Sequence, residues 1–429
     1  MLPMIKKWKA LICLTLLAAM LLSSCQKETE SDLPLSESSS AENAPATEPE
    51  SETTATGTDT TIPEPESTAE PEPETEPETT PAPETTSEPE PETTSPPETL
   101  ADFNVGTVGE STAYRLTDNF INMLTGEAAD KETYYRRPVA IMINNLKKST
   151  PQAGVSEADI LYECVVEGGI TRLMMVVNDY SALDMVGSIR SSREYYLDFA
   201  ANHDAIYVHA GGSTQAYAEI HGRKISNLDG VNMYVPDMFF RDANRQKTMG
   251  QEHSLMTDGT RIANGIEFKK YRTTVRDTFT SSFQFVNYNE SPVDLGGSAA
   301  EKVTVTYNGI YKPYYTYDAS TGLYKRFQFD APHIDANNNE QLTFTNILIL
   351  SLKHTFTGDE KGHMDVDSVG SGDGYYVSGG KYIPIKWSKA SEDTPMVLTN
   401  TDGSQLLLNC GKTAVNIVSS SVLKGVKFE

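Results

Sequence analysis

The sequence predicts an α+β protein in two parts: a mixed α/β-type domain over residues 134–295, then a mostly β domain over residues 296–429. Three observations predict it. Residues 26–100 hold 21 Asp or Glu, 14 Pro and no aromatic residue, whereas 36 of the 37 aromatic residues fall within 101–429. Only that second stretch can bury enough apolar surface to offset chain entropy. From Arg137 to about residue 280, short apolar runs alternate with segments of helical spacing. Beyond that point strand-like runs follow one another, separated by turns such as Asn308-Gly309, Gly379-Gly380 and Asp402-Gly403.

Residues 1–24 read as a lipoprotein signal peptide. Lys6, Lys7 and Lys9 precede an apolar run from Ala10 to Leu22, shorter than the ~20 residues of a spanning helix. The run ends in Leu22-Ser23-Ser24-Cys25, an aliphatic residue and two small ones before a thiol that can accept a lipid. Cys25 is therefore the expected lipidation site, and the mature chain is expected outside the cytoplasm, anchored to the cell membrane by that lipid. Residues 25–100 form an acidic Pro/Glu/Thr stalk, about 230 Å long if fully extended as polyproline II. Residues 26–100 carry −20 of the net −25, and residues 101–429 only −8. The acidity thus says little about the folded part, and a basic nucleic-acid binder is excluded. Residues 101–133 are a lead-in segment.

In the first folded part, Pro138–Ile143, Asp159–Val166, Leu173–Val177 and Ala205–His209 read as strands. Ser191–Ala201, Thr214–His221 and Thr257–Gly265 read as helices, the last capped by Thr257 or Asp258. In the second part, strands are expected over Lys302–Tyr307, Tyr314–Tyr317, Tyr324–Phe329, Phe344–Leu352, Tyr375–Val377, Ile383–Trp387, Met396–Leu398, Gln405–Leu408 and Ala414–Val418, with no helix. Gly296-Gly297-Ser298 is the expected crossing between the parts.

Several segments are too specific to be filler. They include Pro151-Gln152-Ala153-Gly154, Glu167-Gly168-Gly169-Ile170-Thr171-Arg172, Gly187-Ser188-Ile189-Arg190-Ser191-Ser192-Arg193, His209-Ala210-Gly211-Gly212-Ser213, Leu228-Asp229-Gly230 and Phe240-Arg241-Asp242. Tyr324-Lys325-Arg326, Pro332-His333-Ile334-Asp335 and Gly370-Ser371-Gly372-Asp373-Gly374 continue the series. In this order, over roughly residues 135–425, the chain resembles the YerB-like family of Gram-positive lipoproteins. The resemblance implies a two-domain α+β fold on a lipid anchor. It implies no reaction, because the family's function is unknown.

The residues themselves suggest an anion pocket. Arg190 and Arg193 bracket two serines where a strand gives way to a helix. His209, Gly211, Gly212 and Ser213 repeat that arrangement, and Arg172 and Arg241 can join them. Guanidinium groups beside helix N-termini make an anion site by charge and geometry, and such loops converge at the carboxyl ends of strands in an open sheet. The competing expectation is a structural network in which these arginines pair with Glu157, Glu167, Asp198 and Asp242. No cofactor is called for, and no metal: the seven histidines are scattered, and Asp365, Asp367 and Asp373 lack the Glu of a calcium loop. No catalytic residue is identifiable, since His209 and Ser213 lack a Gly-x-Ser-x-Gly elbow. A disulfide between Cys164 and Cys410 is left open. The expected function is a non-enzymatic envelope binding protein for a wall polymer or an envelope protein, with phosphate or carboxylate as the recognised group. The alternative is an envelope enzyme acting on a phosphate-bearing intermediate, loosely like the LytR-type ligases.

Overall fold

The computed structural model describes residues 120–360 and 362–429. The expected signal peptide, the stalk and most of the lead-in segment lie outside those residues. Ten main strands build one large sheet. They are β1 (Val139–Ile143), β2 (Ile160–Val165), β3 (Thr171–Val177), β4 (Ile206–His209), β5 (Asn227–Asp229), β6 (Asn346–Ser351), β7 (Gly370–Ser378), β8 (Lys381–Lys389), β9 (Val397–Asn400) and β10 (Thr413–Val418). The spatial order is β8-β7-β6-β10-β2-β3-β1-β4-β5, with β9 and the short strand Ser298–Ala299 both on β8.

The first part of the chain is mixed and the second is mostly sheet, as expected, but one sheet runs through both. Its seam is the parallel pairing of β10 with β2, Thr413 opposite Ile160 through Ile417 opposite Cys164. At the expected glycine crossing, a Cβ on Gly297 would lie 2.0 Å from the Tyr382 carbonyl oxygen, so the chain can reach the edge of β8 only as glycine there.

Alternation of side chains sorts the core into two layers. The short helix α1 (Lys131–Tyr135) precedes β1. Ala140 and Met142 of β1 join Tyr162, Met174 and Tyr207 under the helices α2 (Glu194–Ala201) and α3 (Thr214–Gly222), which add Tyr195, Tyr196, Phe199 and Ile220. Val139, Ile141 and Ile143 face the other way. There they meet Ile262 and Ile266 of a helix over Gly259–Lys269, and Val303, Tyr315, Tyr324 and Phe344 of a smaller antiparallel sheet. Asp258 caps the Gly259–Lys269 helix, accepting from the Arg261 N–H at 2.9 Å.

Two expectations fail locally, and one helix was not anticipated. Gln405–Leu408 forms no strand: Leu406 and Leu408 are buried, but the segment pairs only through isolated bridges at Gln405 and Leu408. A short helix over Ser420–Lys424 closes the second part, capped by Ser419. A helix over Ala243–Met249 was not legible because its buried residue is Arg245, whose guanidinium donates to the carbonyls of Ser149, Pro151 and His253 in place of apolar packing. The thiols of Cys164 and Cys410 are both free.

Two buried histidines set an acid limit on stability. His203 has its pKa pushed down to about 3 by burial, and burial holds His333 well below the usual range. Below pH 6.5 the unfolded chain takes up protons that the native chain refuses. Stability therefore falls on acidification, by about 1.4 kcal/mol per pH unit for each histidine. Asp159 works in the opposite sense: burial raises it to about 6, so the native chain binds its proton first and gains stability as pH falls from 6 toward 4. Urea titrations between pH 6.5 and 4.5 should show His203→Gln removing about 1.4 kcal/mol per pH unit of the acid-side slope.

Candidate functional site

The carboxyl ends of β1, β4 and β5 and the start of β3 lie along one edge of the sheet, because β1, β4 and β5 are parallel and β3 runs against β1. The two expected turns leave this edge side by side. The Ala210 N–H donates to the Arg190 carbonyl at 3.0 Å, and the Ser192 N–H to the Gly211 carbonyl at 2.9 Å. Gly211 has φ +78°, a conformation that favours glycine. Ser213 caps α3 by accepting from the Ala216 N–H at 3.0 Å. No side chain caps α2; the Ser192 hydroxyl turns instead to the Arg193 carbonyl.

The expected residues fall into three groups. Arg172 and Arg193 meet on one carboxylate, that of Glu167. Arg193 grips it as a fork, Nε to Oε2 at 3.0 Å and Nη2 to Oε1 at 2.6 Å, and Arg172 Nη2 donates to Oε1 at 3.1 Å. Their remaining donors reach the carbonyls of Ser191 and Ser192. The side chains of Arg172 and Arg193 are 4% and 9% exposed, that of Glu167 24%. Close by, Tyr207 is fully buried, its hydroxyl near Ser192, Arg172, Arg193 and Glu194 but without a hydrogen bond of normal geometry.

His209, Gly211 and Gly212 form the second group with Asp229. The Asp229 carboxylate accepts from the N–H groups of Gly211 at 2.8 Å, Val231 at 2.9 Å and Asn232 at 3.1 Å, and from the Tyr217 hydroxyl at 2.7 Å. It lies 3.8 Å from His209 Nδ1. These bonds hold its pKa below the usual carboxylate range against the opposing effect of burial. The chain thus supplies its own anion at the second turn. Arg190 and Arg241 form the third group. Both reach the segment 251–254: Arg190 lies 3.9 Å from the Glu252 carboxylate, and Arg241 donates to the Gln251 carbonyl. Of the competing partners, Glu167 is the one the arginines of the turns use. Asp198 pairs with Arg223, and Asp242 caps the helix of Arg245.

A second polar cluster escaped the sequence reading. Glu163 of β2 faces the smaller sheet, where Arg326 Nη2 donates to its Oε2 at 2.6 Å; both residues are buried. Thr171 and Asn145 donate to Glu163 Oε1. Arg326 Nη1 donates to Gln328 and to His333 Nδ1, and His333 Nε2 meets Gln152 Oε1 at 2.9 Å. Gln328 and Gln152 both return to Asn145 Oδ1. Over this floor lies a cavity of about 390 Å³ whose walls include Lys147, Pro151, Phe329 and Pro332. The signal was present: the segments Pro151–Gly154, Tyr324–Arg326 and Pro332–Asp335, singled out separately, meet here.

Residues 124–272 match the N-terminal domain, and residues 303–415 the C-terminal domain, of a protein of unknown function, DUF3048. The chain belongs to this YerB-like family. It is 28% identical over 309 residues to the "Putative lipoprotein YerB" of Bacillus subtilis (strain 168), covering 70% of this chain and 88% of that protein. The crystal structure of YerB protein from Bacillus subtilis matches with a TM-score of 0.62 and 27% identity, over 72% of this chain and 99% of that one. Among the described residues no helix is long and apolar enough to cross a membrane, and no group of three or more His, Cys, Asp or Glu is placed to hold a metal ion. Asp367 and Asp373 instead pair with Lys353 and Lys386.

Proposed function

We propose that this YerB-like chain is a lipid-anchored extracytoplasmic protein that binds an acidic component of the cell envelope, a wall polymer or a protein partner, at the paired turns of the sheet edge. One observation carries the reading. Two guanidinium groups, that of Arg172 and that of Arg193, the residue that opens α2, converge on a single carboxylate. Guanidinium forks and free first-turn N–H groups both favour an anion. Farther along the same edge stand Arg190, 3.9 Å from the Glu252 carboxylate, and the exposed Arg241. The membrane anchor at Cys25 and the stalk of residues 25–100 bring this edge to the envelope. The phosphotransfer alternative gains no support at these arginines, where the carboxylate at hand, Glu167, is engaged by both guanidiniums rather than presented to a metal.

The test uses residues 26–429 and Arg193→Lys, which keeps the charge but loses the fork. Solubilised wall polymer titrated by calorimetry should bind the parent saturably, weaken as salt is raised, and bind the variant about tenfold less tightly, a loss of about 1.4 kcal/mol. Urea midpoints measured on the same samples exclude unfolding as the cause. Equal binding by both forms, or none by either, rejects the reading.

A further inference from the structure

We propose that Glu167 is a built-in stand-in for the ligand, and that the group recognised is a carboxylate, from a peptide or an acidic sugar, which displaces it from Arg172 and Arg193. This rests on the anion-binding reading above and narrows it to one chemical class.

The seat is shaped for a planar, two-oxygen group. Arg193 addresses both Glu167 oxygens, through Nε and Nη2, and Arg172 adds a donor to Oε1. Fork-on-carboxylate pairing of this kind is geometrically specific. The arginines are sealed while Glu167 is only half-buried, so the carboxylate rather than the cations can leave. The turn that carries it is open to solvent at Gly168 and held at Gly169, whose carbonyl accepts from Asn308 Nδ2. Gly168 and Gly169 follow with φ of +64° and +73°, and no atom lies within 4 Å of where a Cβ on Gly168 would stand. Donors also remain that Glu167 does not use. The first turn of α2 has no capping side chain, and the fully buried Tyr207 hydroxyl, near Ser192, Arg172 and Arg193, makes no hydrogen bond of normal geometry. A buried hydroxyl left without a good hydrogen bond is costly, and a ligand carboxylate, not tied to the Glu167 backbone, can be placed to accept from it.

The experiment titrates propionate and, separately, inorganic phosphate into residues 26–429 and into Glu167→Ala, following melting temperature and hydrogen exchange at Gly168 and Gly169. In Glu167→Ala, propionate should bind at least about tenfold more tightly than in the parent, equivalent to about 1.4 kcal/mol, and should be preferred over phosphate. In the parent, saturating propionate should speed exchange at Gly168 and Gly169 as the turn is released. Unchanged propionate affinity in the variant, or unmoved exchange in the saturated parent, makes Glu167 a fixed counter-ion and overturns the proposal. Phosphate preferred over propionate overturns the carboxylate class while leaving anion binding intact. Binding of neither anion by any form removes the underlying reading as well. Should Glu167→Ala fail to fold, the near-isosteric Glu167→Gln gives the same comparison.

Discussion

Replacing Glu163 with Gln should lower the stability of the folded part by about 3–5 kcal/mol, the usual cost of stranding one charge of a buried ion pair. Arg326 is fully buried and its Nη2 donates to Glu163 at 2.6 Å, so removing the carboxylate charge leaves a guanidinium without a counter-charge. The hydrogen bonds to Gln328, His333 and the Tyr315 hydroxyl hold the guanidinium in place but bring no negative charge. Arg326→Met should cost less, because Thr171 and Asn145 still donate to Glu163. The double variant Glu163→Gln/Arg326→Met should be more stable than Glu163→Gln alone, since neither charge is then left behind. Urea unfolding of residues 26–429 and the three variants checks this. Circular dichroism and Trp387 fluorescence should report one coincident transition for the parent, because β10 pairs with β2 and no break in the large sheet separates the two parts of the chain. A loss below about 1 kcal/mol for Glu163→Gln would mean that water reaches Arg326 and the pair is not buried in solution.

The same pair shows where the sequence stops being informative. Tyr195, Tyr196 and Phe199 announce α2 by their spacing, and Thr257-Asp258 announces the start of the Gly259–Lys269 helix without choosing which residue caps it, because both signals are local. Glu163 stands inside the run Ile160–Val166, where a charge contradicts the apolar pattern and so marks a partner. Nothing nearby says that the partner is Arg326, 163 residues on, because that depends on the smaller sheet lying against β2. The parallel pairing of β10 with β2 is hidden for the same reason: it joins residues about 250 positions apart. The helix of Arg245 was illegible because a guanidinium donating to three carbonyls replaces the apolar stripe that marks a helix. At the sheet edge the serines and glycines of the two turns were readable from spacing, and the turns do run side by side. The occupants of those turns were not. Asp229 at a strand end reads like any turn residue, yet it accepts four hydrogen bonds at the Gly211 turn. Glu167 was one of four acids that could have paired with the arginines, and spacing alone could not choose among them.

Cys25→Ala should move the protein from the membrane fraction to the medium almost completely. Cys25 lies outside the described residues, so the expectation rests on Leu22-Ser23-Ser24-Cys25 and on the similarity to a protein named as a lipoprotein. The physical argument is one of chain number. A single acyl chain holds a protein only marginally, whereas two acyl signals hold it stably, so loss of the lipidated thiol removes anchoring rather than weakening it. The apolar run from Ala10 to Leu22 cannot substitute as a transmembrane helix, being shorter than the ~20 residues that span a bilayer. The folded part should be unaffected: the urea midpoint of the released protein should equal that of residues 26–429, because the edge bearing Arg172, Arg193 and Glu167 is built wholly from residues beyond 119. Fractionation with a carbonate wash, followed by mass spectrometry of the N-terminus, separates the outcomes. Release with an intact midpoint supports a lipid anchor on a stalk. A variant that stays in the washed membrane with residues 1–24 still attached would mean that the apolar run is itself the anchor. The chain would then be tethered by a retained leader instead of a lipid.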